Sequence, residues 1–234
     1  MAFEGDFLII GHRGAAGLEP ENTLRSFARA IELGVDAVEL DLYCVDGHLI
    51  VIHDDTLERT TNGRGQVAET SFTALRALDA GHGQRIPTLQ EVFDLVDGRV
   101  AVNVELKGRG TAEPLAGLLA GRGADDVLVS SFDHRELRRF HRLAAGVRTA
   151  PLFGRASSKL FDTARQLDAW SVNLSTKLAT GELPAQIAAL GYRCLVYTVN
   201  DPLAAEHLRR AGVHGIFTDF PDRMQRLRSA PIVE

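Results

Sequence analysis

IELGVDAVELD (31–41) is an amphipathic segment that ends in glycine and is followed at once by a run in which apolar and acidic residues alternate. Gly34 stands where a helix C-terminus favours a left-handed residue, and 35–41 has the two-residue period of a strand. The unit returns as AALGYRCLVYTVN (188–200) and RRAGVHGIFTD (209–219). Helix, glycine and short strand in this order predict a parallel sheet covered by helices. Outward from these copies, eight strands are expected near 7–11, 36–41, 100–105, 127–131, 147–151, 170–173, 194–198 and 215–218. Eight is the number that closes, so the expected fold class is α/β, a (β/α)8 TIM barrel. An open Rossmann or flavodoxin-like sheet shares the rhythm, but no Gly-x-Gly-x-x-Gly turn follows the first strand.

Helix starts are marked by Asp133 with Glu136, by Asp201 before Pro202, and by Asp219 with Pro221. Leu24, Phe27, Ala28 and Ile31 give segment 23–33 an apolar stripe to lay on the sheet. The second strand runs on through Leu42–Val45 to Asp46-Gly47 and back along Leu49–Ile52, a tight hairpin. Pairing 45 with 48 sets Asp41 opposite Ile52 and returns His53 to the level of Asp41. The polar, Gly-rich stretch at about 54–88, with a short helix near Thr73–Leu78, reads as a small insertion on one end of the barrel. The whole of 1–234 is expected to form a single domain, a size that one barrel accommodates.

A formal net charge of -5 gives no positive field to attract nucleic acid, so an anionic partner has to be held by local charges or a metal. No uncharged apolar run reaches the ~18 residues of a membrane span, and Met1–Ile10 lacks a basic, apolar leader. Cys44 and Cys194 sit in apolar stretches, as reduced buried thiols do. Together these predict a cytoplasmic protein with a small-molecule partner and no integral membrane association. The sequence leaves its oligomeric state open.

In a β/α barrel, chemistry sits where strands end. Glu39 and Asp41 are two apart, so both point to one side of their strand and leave Val38 and Leu40 on the other. Asn103, Glu105 and Lys107 alternate in the same way with Val102, Val104 and Leu106. Carboxylates gathered at a barrel mouth repel one another unless a cation neutralises them, and oxygen donors suit a hard divalent ion. His12 and His53 fall at strand ends on the same level. The isolated His82, His134, His141, His207 and His214 read as surface or structural residues.

Taken in order, HRGAAGLEPENT (12–23), VELDL (38–42), VIHDDTLERTTNGRG (51–65), IPTLQEVF (86–93), NVELK (103–107), SSF (130–132), YTVN (197–200) and GIFTDFPD (215–222) resemble the glycerophosphodiester phosphodiesterase family. The resemblance implies a (β/α)8 barrel with an insertion after the second strand. It also implies metal-dependent hydrolysis of glycerophosphodiesters to sn-glycerol 3-phosphate and an alcohol. Glu39, Asp41 and Glu105 would hold Ca2+ or Mg2+, with His12 and His53 as general acid and base. Arg13 and Lys107 would neutralise phosphate, and Phe132 and Tyr197 would shape the glycerol pocket; the family commonly has Trp where Tyr197 stands. The nucleophile is water or the neighbouring glycerol hydroxyl. A lysophospholipase D using the same site is the alternative; it would need an apolar patch, for which Leu152, Phe153 and Leu160 are the candidates.

Overall fold

The computed structural model describes residues 3–229, so the ends of the chain, including the first two residues of Met1–Ile10, lie outside the described residues. Eight parallel strands form the barrel. In chain order the elements are β1 (Leu8–Gly11), α1 (Leu24–Glu32), β2 (Ala37–Val45), β3 (His48–Val51), α2 (Phe72–Arg76), α3 (Leu89–Val96), β4 (Ala101–Leu106), α4 (Ala112–Arg122), β5 (Val127–Ser131), α5 (His134–Leu143), β6 (Arg148–Phe153), α6 (Leu160–Gln166), β7 (Ser171–Ser175), α7 (Leu183–Ala189), β8 (Arg193–Tyr197), α8 (Pro202–Arg210) and β9 (Gly215–Thr218). The strands neighbour one another in the order β1-β9-β8-β7-β6-β5-β4-β2-β3, and β1 also pairs with β2, which closes the ring and leaves β3 as an annex.

The two-residue period sorts side chains into two shells. Val38, Leu40, Val102, Val104, Val129, Val172, Cys194 and Val196 point outward and pack with the helices in the main core. Each fully buried aliphatic of this kind contributes roughly 1.5–3 kcal/mol. The opposite parity points inward. Leu8, Ile10, Ala37, Ala101, Leu128, Ala150, Leu195 and Phe217 fill the lower interior, which Phe3 and Trp170 close with ring centroids 5.1 Å apart. One step further along the strands the inward residues turn polar, and register places Glu39 beside Asn103 and Asp41 beside Glu105.

The hairpin has the expected register, Val45 opposite His48 and Leu42 opposite Val51. Its turn residues Asp46 and Gly47 both have positive φ, 50° and 78°, as a primed turn requires. The Ile52 N–H then donates to Asp41 O at 3.0 Å, which extends the pairing and delivers His53 to the mouth. The segment after β3 has a small core of its own: Leu57, Val67, Leu75, Ala80 and Ile86 pack on Val45, Ile50 and Ile52. Its helix α2 begins at Phe72, within a residue of expectation. Arg76 fastens this segment to α3 by donating to Ile86 O and to both oxygens of Glu91, the residue that completes the Thr88 capping box.

Candidate active site

The C-terminal ends of the strands enclose a cavity of about 190 Å3 lined by His12, Arg13, Glu39, His53, Asn103, Glu105, Lys107, Phe132 and Tyr197, among others. Asp41 is the one expected site residue not on that wall; it lies just beneath, 1% exposed. Glu39, Asp41 and Glu105 each offer a carboxylate oxygen, and the three oxygens lie within 4.8 Å of one another. Burial, then the charges of Asp41 and Glu105, hold the Glu39 carboxyl well above the ordinary carboxylate range. Glu105 is pushed up to about 7, first by burial and then by Asp41. Such mutual repulsion marks a place where a cation belongs.

Two bases answer part of that charge. Lys107 Nζ stands 3.0 Å from Glu105 Oε1 and 3.6 Å from Asp41 Oδ1. Burial draws the Lys107 pKa down, but Glu105 and Asp41 outweigh it and the net shift is upward. Arg13 Nε lies 3.3 Å from Asp41 Oδ2, its NH1 donates to Glu21 at 2.7 Å, and its backbone N–H donates to Glu39 at 2.9 Å.

The loop after β1 is held by α1. Ser26 Oγ donates to Arg13 O and accepts from Ala15 N, each at 2.9 Å. A Cβ on Gly14, φ 86°, would come within 2.5 Å of Ser26 Oγ, so only glycine fits there. Asn22 completes the loop by donating from Nδ2 to Asp41 Oδ2 at 2.9 Å.

Each histidine has a carboxylate behind it. His12 Nδ1 is 2.6 Å from Asp219 Oδ1, and His53 Nδ1 is 2.5 Å from Asp54 Oδ1. An Nδ1–H held in this way leaves Nε2 of each ring for proton exchange. Asn200 Nδ2 donates to Asp219 Oδ2 at 2.7 Å, and Arg59 donates to both oxygens of Asp54 and of Glu21. Hydrogen bonds from Arg59 are the main reason that the Asp54 pKa is held low. Burial lowers the His53 pKa, despite Asp41 and Asp54.

Nothing in the sequence pattern points to a site role for Asp54, Asp219, Asn200, Glu21, Asn22 or Arg59. Asp219 in particular reads there as a helix start. The turn beginning at Pro221 instead has Phe220 at its N-cap, and the Asp219 side chain serves His12. Asp54, next to His53, was the most legible of these residues; Asp219 is 207 positions from its partner. The apolar patch required by the lysophospholipase alternative is missing from the sequence positions offered for it, since Leu152, Phe153 and Leu160 are each only 5% exposed. Leu152 points into the barrel, Phe153 packs on His134 at 4.8 Å and Leu160 joins the helical core.

A closed barrel with clustered carboxylates, two carboxylate-backed imidazoles and two basic side chains at its C-terminal mouth has the architecture of a hydrolytic barrel that acts on anionic substrates. Residues 12–223 match the glycerophosphoryl diester phosphodiesterase family, and the chain belongs to that family. It is 36% identical over 235 residues to a glycerophosphodiester phosphodiesterase of Caldanaerobacter subterraneus subsp. tengcongensis, which covers 94% of this chain and 97% of that one. A putative glycerophosphodiester phosphodiesterase of Bacillus subtilis is 35% identical over 231 residues, 92% of this chain and 95% of its own. Among solved structures, an Oleispira antarctica phosphodiesterase in complex with the product sn-glycerol-3-phosphate superimposes with a TM-score of 0.89 at 29% identity, over 95% of this chain and 97% of that one.

Proposed function

We propose that the chain hydrolyses glycerophosphodiesters to sn-glycerol 3-phosphate and an alcohol, with His12 and His53 as the acid–base pair and a divalent cation on Glu39, Asp41 and Glu105. The observation that carries this reading is that His12, His53, Glu39 and Glu105 line one small cavity, while the buried Asp41 carboxylate lies within 4.8 Å of those of Glu39 and Glu105. Family membership and the product-bound Oleispira relative support the substrate class.

The donor set fits such an ion. Oxygens at about 2.3–2.6 Å from one Ca2+ can be at most ~5 Å apart, which the triad satisfies. Asn103 Oδ1, buried beside them and without a hydrogen-bond partner, is a further oxygen of the right chemistry. Ca2+ and Mg2+ are both hard enough for this set. When bound, the ion supplies Lewis-acid neutralisation of phosphate oxygens.

The chain's own residues do the rest. Arg13 and Lys107 add positive charge where the phosphate is held, Arg13 with a forked pair of donors. Phe132 and Tyr197, edge to face at 5.8 Å, wall the glycerol side, and the unpartnered Tyr197 hydroxyl offers a hydrogen bond there. His53, with its pKa lowered, suits the neutral base. It removes the proton from the glycerol hydroxyl next to the ester as that oxygen attacks phosphorus. His12 protonates the departing alkoxide. Water then opens the resulting cyclic phosphate, with the two imidazoles exchanging roles.

Each proton transfer is typically worth ~10²–10⁴ in rate. His12→Ala and His53→Ala should each lose glycerol 3-phosphate release from glycerophosphocholine by that order, with an unchanged circular dichroism spectrum. Near wild-type rates in either variant would refute the assignment.

A further inference from the structure

Beside the catalytic cavity runs a second, open groove along α5 and the loop after β4, lined by Arg109, Arg135, Arg139 and Arg142 and beginning at Phe132. Phe132 also lines the catalytic cavity, so the two adjoin at that residue. Arg109 follows Lys107 by two residues on the same loop. We propose that this groove is the leaving-group subsite and that it selects alcohols carrying a further phosphate. This rests on the glycerophosphodiesterase reading above and adds which diesters are preferred.

Three observations carry it. First, the groove sets four guanidinium groups against two carboxylates, although the chain as a whole is at -5. Second, those carboxylates are already engaged inward. Asp133 accepts from the backbone N–H groups of Arg135 and Glu136, and Glu136, 8% exposed, accepts from Ala112 N at 2.9 Å. Arg139 is matched by Glu113 at 2.7 Å, whereas Arg109, Arg135 and Arg142 have no ion pair or side-chain hydrogen bond among the described residues. Third, Arg135 stands in the first turn of α5, which follows directly on β5 and Phe132, so the groove has a free guanidinium at its mouth end, with Arg142 two turns further along, about 10 Å at 1.5 Å per residue.

Guanidinium forks match phosphate oxygens well. Of the apolar side chains at this side of the mouth among the described residues, Phe132 is 48% exposed whereas Leu152, Phe153 and Leu160 are buried, which offers little to an acyl chain. An exposed ion pair is individually modest, so Arg109 and Arg135, at the end of the groove next to Phe132, should favour an anionic leaving group by about tenfold.

The test compares kcat/KM for glycerophosphoinositol and glycerophosphoinositol 4-phosphate, which differ only in one phosphate on the alcohol. The wild-type chain should prefer the phosphorylated substrate by about tenfold, less in high salt, as screening demands. In R109Q/R135Q/R142Q the ratio should fall towards one. Equal or poorer turnover of the phosphorylated substrate, or a ratio untouched by the triple substitution, would overturn the subsite. Failure to hydrolyse either diester would instead overturn the functional reading and the subsite with it. Arginine-dependent binding to phosphatidylglycerol vesicles without any substrate discrimination would show a membrane-facing patch in place of a subsite.

Discussion

Proton transfer by an imidazole depends on which nitrogen carries the proton, and in His12 and His53, the pair proposed for that role, Asp219 and Asp54 stand against Nδ1. Burial raises the Asp219 pKa, but hydrogen bonds from His12 and Asn200 outweigh it and keep the carboxyl ionised. Asp219→Asn can present an N–H to Nδ1 and so favours the wrong tautomer. It should lower kcat by between about tenfold and the ~10²–10⁴ of a lost proton transfer, and should shift the limb of the pH–rate profile belonging to His12. An unchanged kcat and pH profile would show that the contact merely holds structure. The positions of Glu39, Asp41, Glu105 and Lys107 are legible in the sequence from the two-residue period of their strands, and those of His12, Arg13 and His53 from the strands that they follow. The residues behind them are not, because Asp219, itself held by Asn200, reaches His12 only once the last strand closes against the first.

At the level of elements, the period of two did most of the work. It separates Glu39 and Asp41 from Val38 and Leu40, and the hairpin register then carries His53 to the same rim. Side-chain caps are less legible. Glu136 reads as the partner of Asp133 in capping α5, yet its carboxylate crosses to α4 and accepts from Ala112 N there. One buried side chain thus holds two helices, and Glu136→Ala should cost about 1–2 kcal/mol in a denaturant titration. A loss below a few tenths would mean that the contact is dispensable. Gly14→Ala should be worse than a typical surface change, since it drives a methyl into Ser26 and displaces the loop carrying Arg13. It should lower both melting temperature and activity. The apolar residues of the insertion, Leu57, Val67, Leu75, Ala80 and Ile86, are too scattered to announce a core; only the fold on β3 assembles them.

Across the whole molecule, the buried acids tie stability to pH. The folded chain holds the Glu105 proton up to about 7, whereas the unfolded chain releases it near the ordinary value for Glu. The stability this gives is complete below that ordinary value and is lost as pH rises through about 7. Without divalent ions, Glu105→Gln should therefore gain on the wild type as pH rises through that window, by on the order of 3 kcal/mol above pH 7. Added Ca2+ or Mg2+ should reverse the advantage, because the cation stabilises the ionised triad only where Glu105 is present. The barrel itself was legible from its repeating helix–glycine–strand units, since closure needs only eight strands and short connections. Charge balance at the mouth was not, because it depends on distances between strands. The most direct measurement is release of sn-glycerol 3-phosphate from glycerophosphocholine by chelator-stripped protein, titrated with Ca2+ and with Mg2+. The account predicts no release before addition and saturable recovery with at least one ion, abolished in Asp41→Asn. Full activity in the chelator, or recovery unaffected by loss of Asp41, would contradict it.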